Sequence, residues 1–146
     1  MLGIKRIRLS GYTYTTDGYY FVTIVTRFRH RFFEYSEKRD QCESIFRTVA
    51  NTNAGVTIDT FVIMPDHVHM IIVLERAENT LGEIVRRMKA RSSYEFQERL
   101  WQPNYYEHVI RTDQALENIR AYIVNNPNKE PAFSQREMKN GHTYLP

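Results

Sequence analysis

The stretch Ile63-Met64-Pro65-Asp66-His67-Val68-His69-Met70-Ile71-Ile72-Val73-Leu74 constrains this chain more than any other. Its apolar, β-branched composition predicts a strand. Strand side chains alternate between faces, so His67 and His69 share one. Two imidazoles in the middle of an apolar strand are costly unless something binds them. Neutral imidazoles on a rigid strand make half of a metal site. Two core histidines hydrogen-bonded to backbone or to a polar neighbour would satisfy the same pattern, and the pair alone leaves both readings open.

Neither side of this strand is otherwise polar. Val68, Met70, Ile72 and Leu74 take one face, and Ile71 and Val73 lie beside the histidines on the other. The pattern predicts a central strand covered on both faces. Residues 19–26 read as a strand that precedes it. A helix is expected over about 40–52, with Cys42, Ile45, Phe46 and Val49 at helical spacing. Asn53-Ala54-Gly55 ends that helix. Residues 56–63 form a second strand, joined to the histidine strand by the tight turn Met64-Pro65-Asp66.

Thr80-Leu81-Gly82-Glu83 is a capping-box pattern that opens the next helix. Its inward stripe is Leu81, Ile84, Val85, Met88, Ser92 and Phe96. Residues 105–110 read as a fourth strand. Thr112 caps a last helix that runs to about Asn125 and is stopped by Pro127. The order is that of an α+β, ferredoxin-like βαββαβ antiparallel sheet with an additional C-terminal helix. Right-handed crossovers put the first two helices on one sheet face. The last helix is then the element available to lie over the histidines. Residues 1–146 read as a single domain. A basic, irregular lead-in covers about 1–18, and a loosely packed polar tail about 127–146.

The single cysteine, Cys42, excludes an intrachain disulfide framework and a cysteine-based zinc site. With no membrane span or secretory leader evident, a cytoplasmic protein is expected. Net charge is only +3. The basic residues nevertheless cluster: Lys5, Arg6 and Arg8; Arg27, Arg29, His30 and Arg31; Arg86, Arg87, Lys89 and Arg91. Any one cluster is compatible with a solvated face. Interleaved with ten tyrosines and eight phenylalanines, they suit a phosphate backbone with unpaired bases.

On the last helix Tyr122 and Asn126 lie four apart, on one face. If that helix covers the histidines, a phenol and an amide oxygen reach the same region. An amide oxygen is a hard ligand, suited to magnesium or manganese beside imidazole. A core aromatic followed by a helix C-cap would show the same spacing.

His67-Val68-His69 matches the histidine–hydrophobe–histidine motif of HUH endonucleases. Tyr122-Ile123-Val124-Asn125-Asn126-Pro127 resembles the tyrosine motif of REP-associated tyrosine transposases within that superfamily. Gly11-Tyr12-Thr13-Tyr14 with Tyr20-Phe21-Val22-Thr23-Ile24 is similar to the family's N-terminal signature. Leu100-Trp101-Gln102 with Asn104-Tyr105-Tyr106-Glu107-His108-Val109-Ile110-Arg111 resembles its C-terminal block. The four blocks stand in the family's order.

The resemblance implies that Tyr122 is the nucleophile and that His67, His69 and Asn126 bind a divalent metal, Mg²⁺ or Mn²⁺. It implies strand cleavage and rejoining through a 5′-phosphotyrosine, on single-stranded or hairpin DNA. The superfamily includes homodimers that share active sites and enzymes that act as monomers. Arg27, Arg29, Arg31, Arg86, Arg87, Lys89 and Arg91 are candidate DNA contacts. His108 and Arg111 are candidate accessory groups, a hydrogen-bonded strand histidine being the alternative for His108. Three departures stand out. Pro103 replaces an often basic residue, Asn128-Lys129-Glu130 lacks apolar residues that often follow, and Asp66 stands where asparagine is common. Strand parity would point Asp66 away from the histidines, so it is not expected to be a ligand. Two other functions fit the residues: a non-catalytic nucleic-acid-binding sheet using Tyr19, Tyr20 and Phe21, and a metallohydrolase with water as nucleophile.

Overall fold

The computed structural model describes residues 17–126 and the backbone of two short strands before them, β1 (Arg8–Leu9) and β2 (Tyr12–Thr13). These strands pair antiparallel, with Arg8 opposite Thr13. The lead-in expected to be irregular therefore contains a small ladder. The expected polar tail lies outside the described residues.

The main sheet is built from β3 (Gly18–Val25), β4 (Val56–Met64), β5 (His67–Leu74) and β6 (Tyr106–Ile110). Its spatial order is β4-β5-β3-β6, every pair antiparallel. Helices α1 (Ser36–Asn51), α2 (Leu81–Phe96) and α3 (Asp113–Asn125) complete the expected ferredoxin-like arrangement. Thr80 caps α2 by accepting a hydrogen bond from the Glu83 amide at 3.1 Å, and Thr112 caps α3 by accepting one from Ala115 at 3.0 Å.

The first helix begins four residues before its expected start, and the reason is local. Its N-cap, Tyr35, has no capping side chain. Instead Arg39 reaches back and donates to the carbonyls of Phe33 and Glu34, both at 2.8 Å. The first turn, Ser36-Glu37-Lys38, is solvated and carries no apolar stripe, so periodicity cannot reveal it. At its other end, Gly55 has φ +81° and sits where a Cβ would lie 2.6 Å from the backbone of Glu75 and Ala77, so only glycine fits.

The strand β5 is covered on both faces, as its sequence requires. Val68, Met70, Ile72 and Leu74 pack with α1 and α2 residues such as Phe46, Ile84 and Met88 in the larger core. Trp101 closes that core, stacked on Phe33 and donating from Nε1 to Ser92 Oγ at 2.8 Å. On the other face Phe21, Ile71 and Ile110 meet Leu116, Ile119 and Ile123 of α3. Burying each of those three helix side chains contributes roughly 2 kcal/mol. A bulge in β4 between Ile58 and Thr60 interrupts the ladder at Asp59. There Arg120 of α3 forms a two-pronged ion pair with the Asp59 carboxylate, at 3.0 Å from Nε and 2.7 Å from Nη2.

Candidate active site

His67 and His69 project from β5 toward α3 with exposures of 1% and 0%, their ring centroids 4.8 Å apart. Neighbouring strands and turns orient each ring. Thr23, opposite His69 on β3, places its Oγ1 2.9 Å from His69 Nδ1. Asp66 Oδ1 lies 2.7 Å from His67 Nδ1. Phe21 stacks on the His69 ring at 5.2 Å. With Nδ1 of each ring engaged, Nε2 is the nitrogen left for coordination, and both Nε2 atoms are buried without a hydrogen bond among the described residues. Coordination through Nε2 puts the ring proton on Nδ1, where it donates to Thr23 or Asp66; such bonds fix the tautomer and aim of metal-binding histidines.

The position of Asp66 corrects the parity argument. Asp66 belongs to the turn, not to β5, which begins at His67, so strand alternation does not govern its side chain. Its other carboxylate oxygen receives Arg29, from Nε and Nη2 at 3.0 Å each. Burial would raise the Asp66 carboxyl, but the bonds and charges of His67 and Arg29 outweigh it and hold the group below its ordinary range. For His69, burial first and the neighbouring His67 second push the imidazolium well below its ordinary value. His69 is therefore neutral, the form that binds metal.

Helix α3 brings the two remaining residues. Tyr122 is half-buried, its ring 5.5 Å from that of His69 and 6.2 Å, edge-on, from that of Phe21. Asn126 follows one turn later at the C-cap, only 1% exposed, with neither Oδ1 nor Nδ2 hydrogen-bonded among the described residues. A buried amide with both ends unsatisfied is unusual in a folded protein and makes Asn126 a candidate ligand. Two imidazole nitrogens and one amide oxygen fit a divalent ion that accepts nitrogen and hard oxygen donors. Among the described residues no group of three His, Cys, Asp or Glu side chains offers an alternative centre.

The other candidates divide. His108 lies opposite Phe21 on β6, so it shares the sheet face of the histidines. Burial and then Arg111 push its imidazolium below the ordinary value. Arg86, Arg87, Lys89 and Arg91 belong to α2, which packs on the opposite sheet face. Arg86 and Arg87 both bind Glu83, Arg87 also binds Asn53, and Arg91 binds Glu95. Lys89 donates to the carbonyls of Pro103 and Asn104, at 3.2 and 3.1 Å. Arg27 lies over the Phe28 ring, and Arg31 pairs with Glu34 at 3.5 Å. Thr23, Asp66 and Arg120 are the contributors that pattern reading did not supply, because each acts through strand register, a turn or a bulge.

Comparison with known proteins places the chain in a family. The profile of the IS200-like transposase family matches residues 14–126. An uncharacterised protein of Haemophilus influenzae is 31% identical over 84% of this chain and 87% of its own. The REP-associated tyrosine transposase of Escherichia coli is 29% identical over 49% of this chain and 44% of its own. The solved structure of a REP-associated tyrosine transposase bound to a REP hairpin superposes with a TM-score of 0.70 at 22% identity, over 94% of this chain and 87% of that one. The fold is thus that of the tyrosine transposases, and among the described residues no helix is long and apolar enough to cross a membrane. The chain belongs to the IS200-like transposase family, and is a DNA-cleaving enzyme of the tyrosine transposase type.

Proposed function

We propose that this transposase cuts single-stranded DNA beside a hairpin, with Tyr122 as nucleophile and His67, His69 and Asn126 as ligands of a Mg²⁺ or Mn²⁺ ion. The observation that carries the reading is the placement of Tyr122 5.5 Å from His69, on the helix whose next turn holds the buried, unsatisfied Asn126 amide. The hairpin comes from the solved relative with a REP hairpin bound.

A divalent ion in this site supplies a Lewis acid that polarises the phosphate and offsets its charge. The remaining work belongs to the chain. Thr23 and Asp66 hold the imidazoles in one orientation. Tyr122 bonds its phenolic oxygen to phosphorus and gives up the phenolic proton. The bond from phosphorus to the 3′ oxygen breaks, and that oxygen takes up a proton to leave as a 3′-hydroxyl. The product is a 5′-phosphotyrosine, which a second 3′-hydroxyl can attack to rejoin strands.

The sheet face that would serve a non-catalytic base-stacking module is occupied. Phe21 is 2% exposed beneath α3, and Tyr19 and Tyr20 pack against the cores. Incubating the protein with labelled single-stranded and hairpin oligonucleotides and Mn²⁺ tests the reading. A denaturation-resistant protein–DNA adduct is expected, lost in Tyr122→Phe and on chelation. Cleavage that survives Tyr122→Phe would show that water or another group is the nucleophile.

A further inference from the structure

The turn leaving β3 contains a feature that folding alone does not explain. Phe28 is 84% exposed and has φ 59°, and Arg29 follows with φ 55°. Left-handed backbone is unfavourable for a bulky side chain, and such strain persists only where the surroundings enforce it. An exposed phenyl ring returns nothing to the core. The enforcing contacts are present. Thr26 donates from its amide to Asp66 O at 3.0 Å and from Oγ1 to His30 O at 2.7 Å. Arg27 donates its amide to Leu100 O at 2.7 Å, and Arg29 grips the Asp66 carboxylate at 3.0 Å. That carboxylate also orients His67. The strained turn is thus fastened to Asp66, the residue that orients His67.

The surroundings of the ring carry positive charge. The Arg27 guanidinium lies 4.9 Å from its centroid. A shallow recess of about 180 Å³ opens beside it, bordered by Arg27, Phe28, His30, Phe32 and Arg99, with Glu98 also at its edge. That volume is below the size of a small-molecule pocket and suits one planar ring. A solvent-facing aromatic among arginines is the pattern by which proteins hold unpaired bases: the ring stacks and the cations meet the backbone.

We propose that Phe28 is a stacking platform for one unpaired base of the DNA strand that enters the active site, with Arg27 and Arg99 facing the adjoining phosphates. The inference rests on the transposase reading above and adds a second, separable contact to it.

Hairpin oligonucleotides with 2-aminopurine at successive unpaired flanking positions, titrated with the full-length protein, test the proposal. Stacking is expected to quench fluorescence at one position. Phe28→Ala should lose that quench and bind about tenfold more weakly, and Phe28→Trp should recover both. Phe28→Gly removes the ring and the backbone strain together, so it should lose the quench while melting no lower than the parent. Phe28→Ala that quenches and binds like the parent would overturn the proposal, as would variants that change only self-association or binding to another protein. The Tyr122 adduct separates the two readings. If the parent forms it and Phe28 variants bind normally, stacking alone is refuted; if the parent neither binds nor forms it, both fall.

Discussion

Replacing Asn126 with leucine separates what this residue costs the fold from what it gives the site. The Asn126 side chain is 1% exposed and neither polar atom is hydrogen-bonded among the described residues. Each buried, unsatisfied polar atom costs about 1–3 kcal/mol. Leucine keeps the branch at Cγ and carries no polar atom, so that cost disappears; its larger methyl groups return part of it, about 1–3 kcal/mol, as crowding. The metal-free variant should therefore be more stable by about 1–2 kcal/mol, which is about 4–8 °C in melting temperature for a domain of this size. With metal that advantage is largely cancelled. A divalent ion at a hundred times its dissociation constant adds about 2.7 kcal/mol to the parent. Two imidazoles without the amide oxygen should hold it too weakly to add more than about 1 kcal/mol at the same concentration. Thermal unfolding of both proteins in EDTA and in graded MnCl₂ reads these differences directly. A leucine variant less stable than the parent in EDTA would show that the amide is satisfied in solution. Equal stabilisation of both proteins by Mn²⁺ would remove Asn126 from the ligand set.

Two further expectations follow from charged groups. In a double-mutant cycle Asp59→Ala and Arg120→Ala should couple by about 1 kcal/mol, the two-pronged geometry being discounted for partial exposure; each should slow adduct formation more than it lowers urea stability, and independent effects would refute the clamp. His69 resists protonation when folded but not when unfolded, so unfolding takes up a proton: metal-free stability is complete above about pH 6.5 and falls below it by up to about 1.4 kcal/mol per pH unit. Urea titrations between pH 7.5 and 5 in EDTA check this, and a His69→Gln variant with the same slope would assign the loss elsewhere.

Much of the fold is legible because burial on two faces leaves a mark in composition. The continuous apolar run of β5 announces a central strand, and Thr80 and Thr112 announce helix starts through an elementary need for amide acceptors. The stripe of α2 is buried as its spacing predicts, from Leu81 to Ser92. The site was partly legible for the same reason: His67, His69, Tyr122 and Asn126 stand at periods that put each pair on one face. What periodicity cannot reach is contact between elements. Thr23 meets His69 only because β3 and β5 pair in one particular register. Asp66 lies just outside β5, in the turn, where strand alternation does not set its side chain. The basic residues of α2 illustrate a signal that was available: Glu83 lies three and four residues before Arg86 and Arg87, and Glu95 four after Arg91, spacings at which helical side chains pair.

The pairing of Arg120 with Asp59 answers a difficulty in how α3 is held. Its apolar contacts are Leu116, Ile119 and Ile123 on Phe21, Ile71 and Ile110. Hydrophobic contact is non-directional. A slide of α3 by one turn, about 5.4 Å, would exchange one of these side chains for another at modest cost. The same slide would carry Tyr122 off His69, because ring centroids 5.5 Å apart leave no slack of that size. Apolar burial can thus attach the helix without fixing where Tyr122 sits. A two-pronged ion pair has a preferred plane and distance, so it distinguishes positions that burial does not. It needs a carboxylate on the sheet beneath α3, at a level near Ile71. Asp59 supplies it: Val56 and Ile58 are buried in the larger core, so strand alternation points Asp59 to the α3 face, at the bulge between Ile58 and Thr60. The ion pair at this point of the edge strand therefore fixes the register of α3, and with it the distance from Tyr122 to His69.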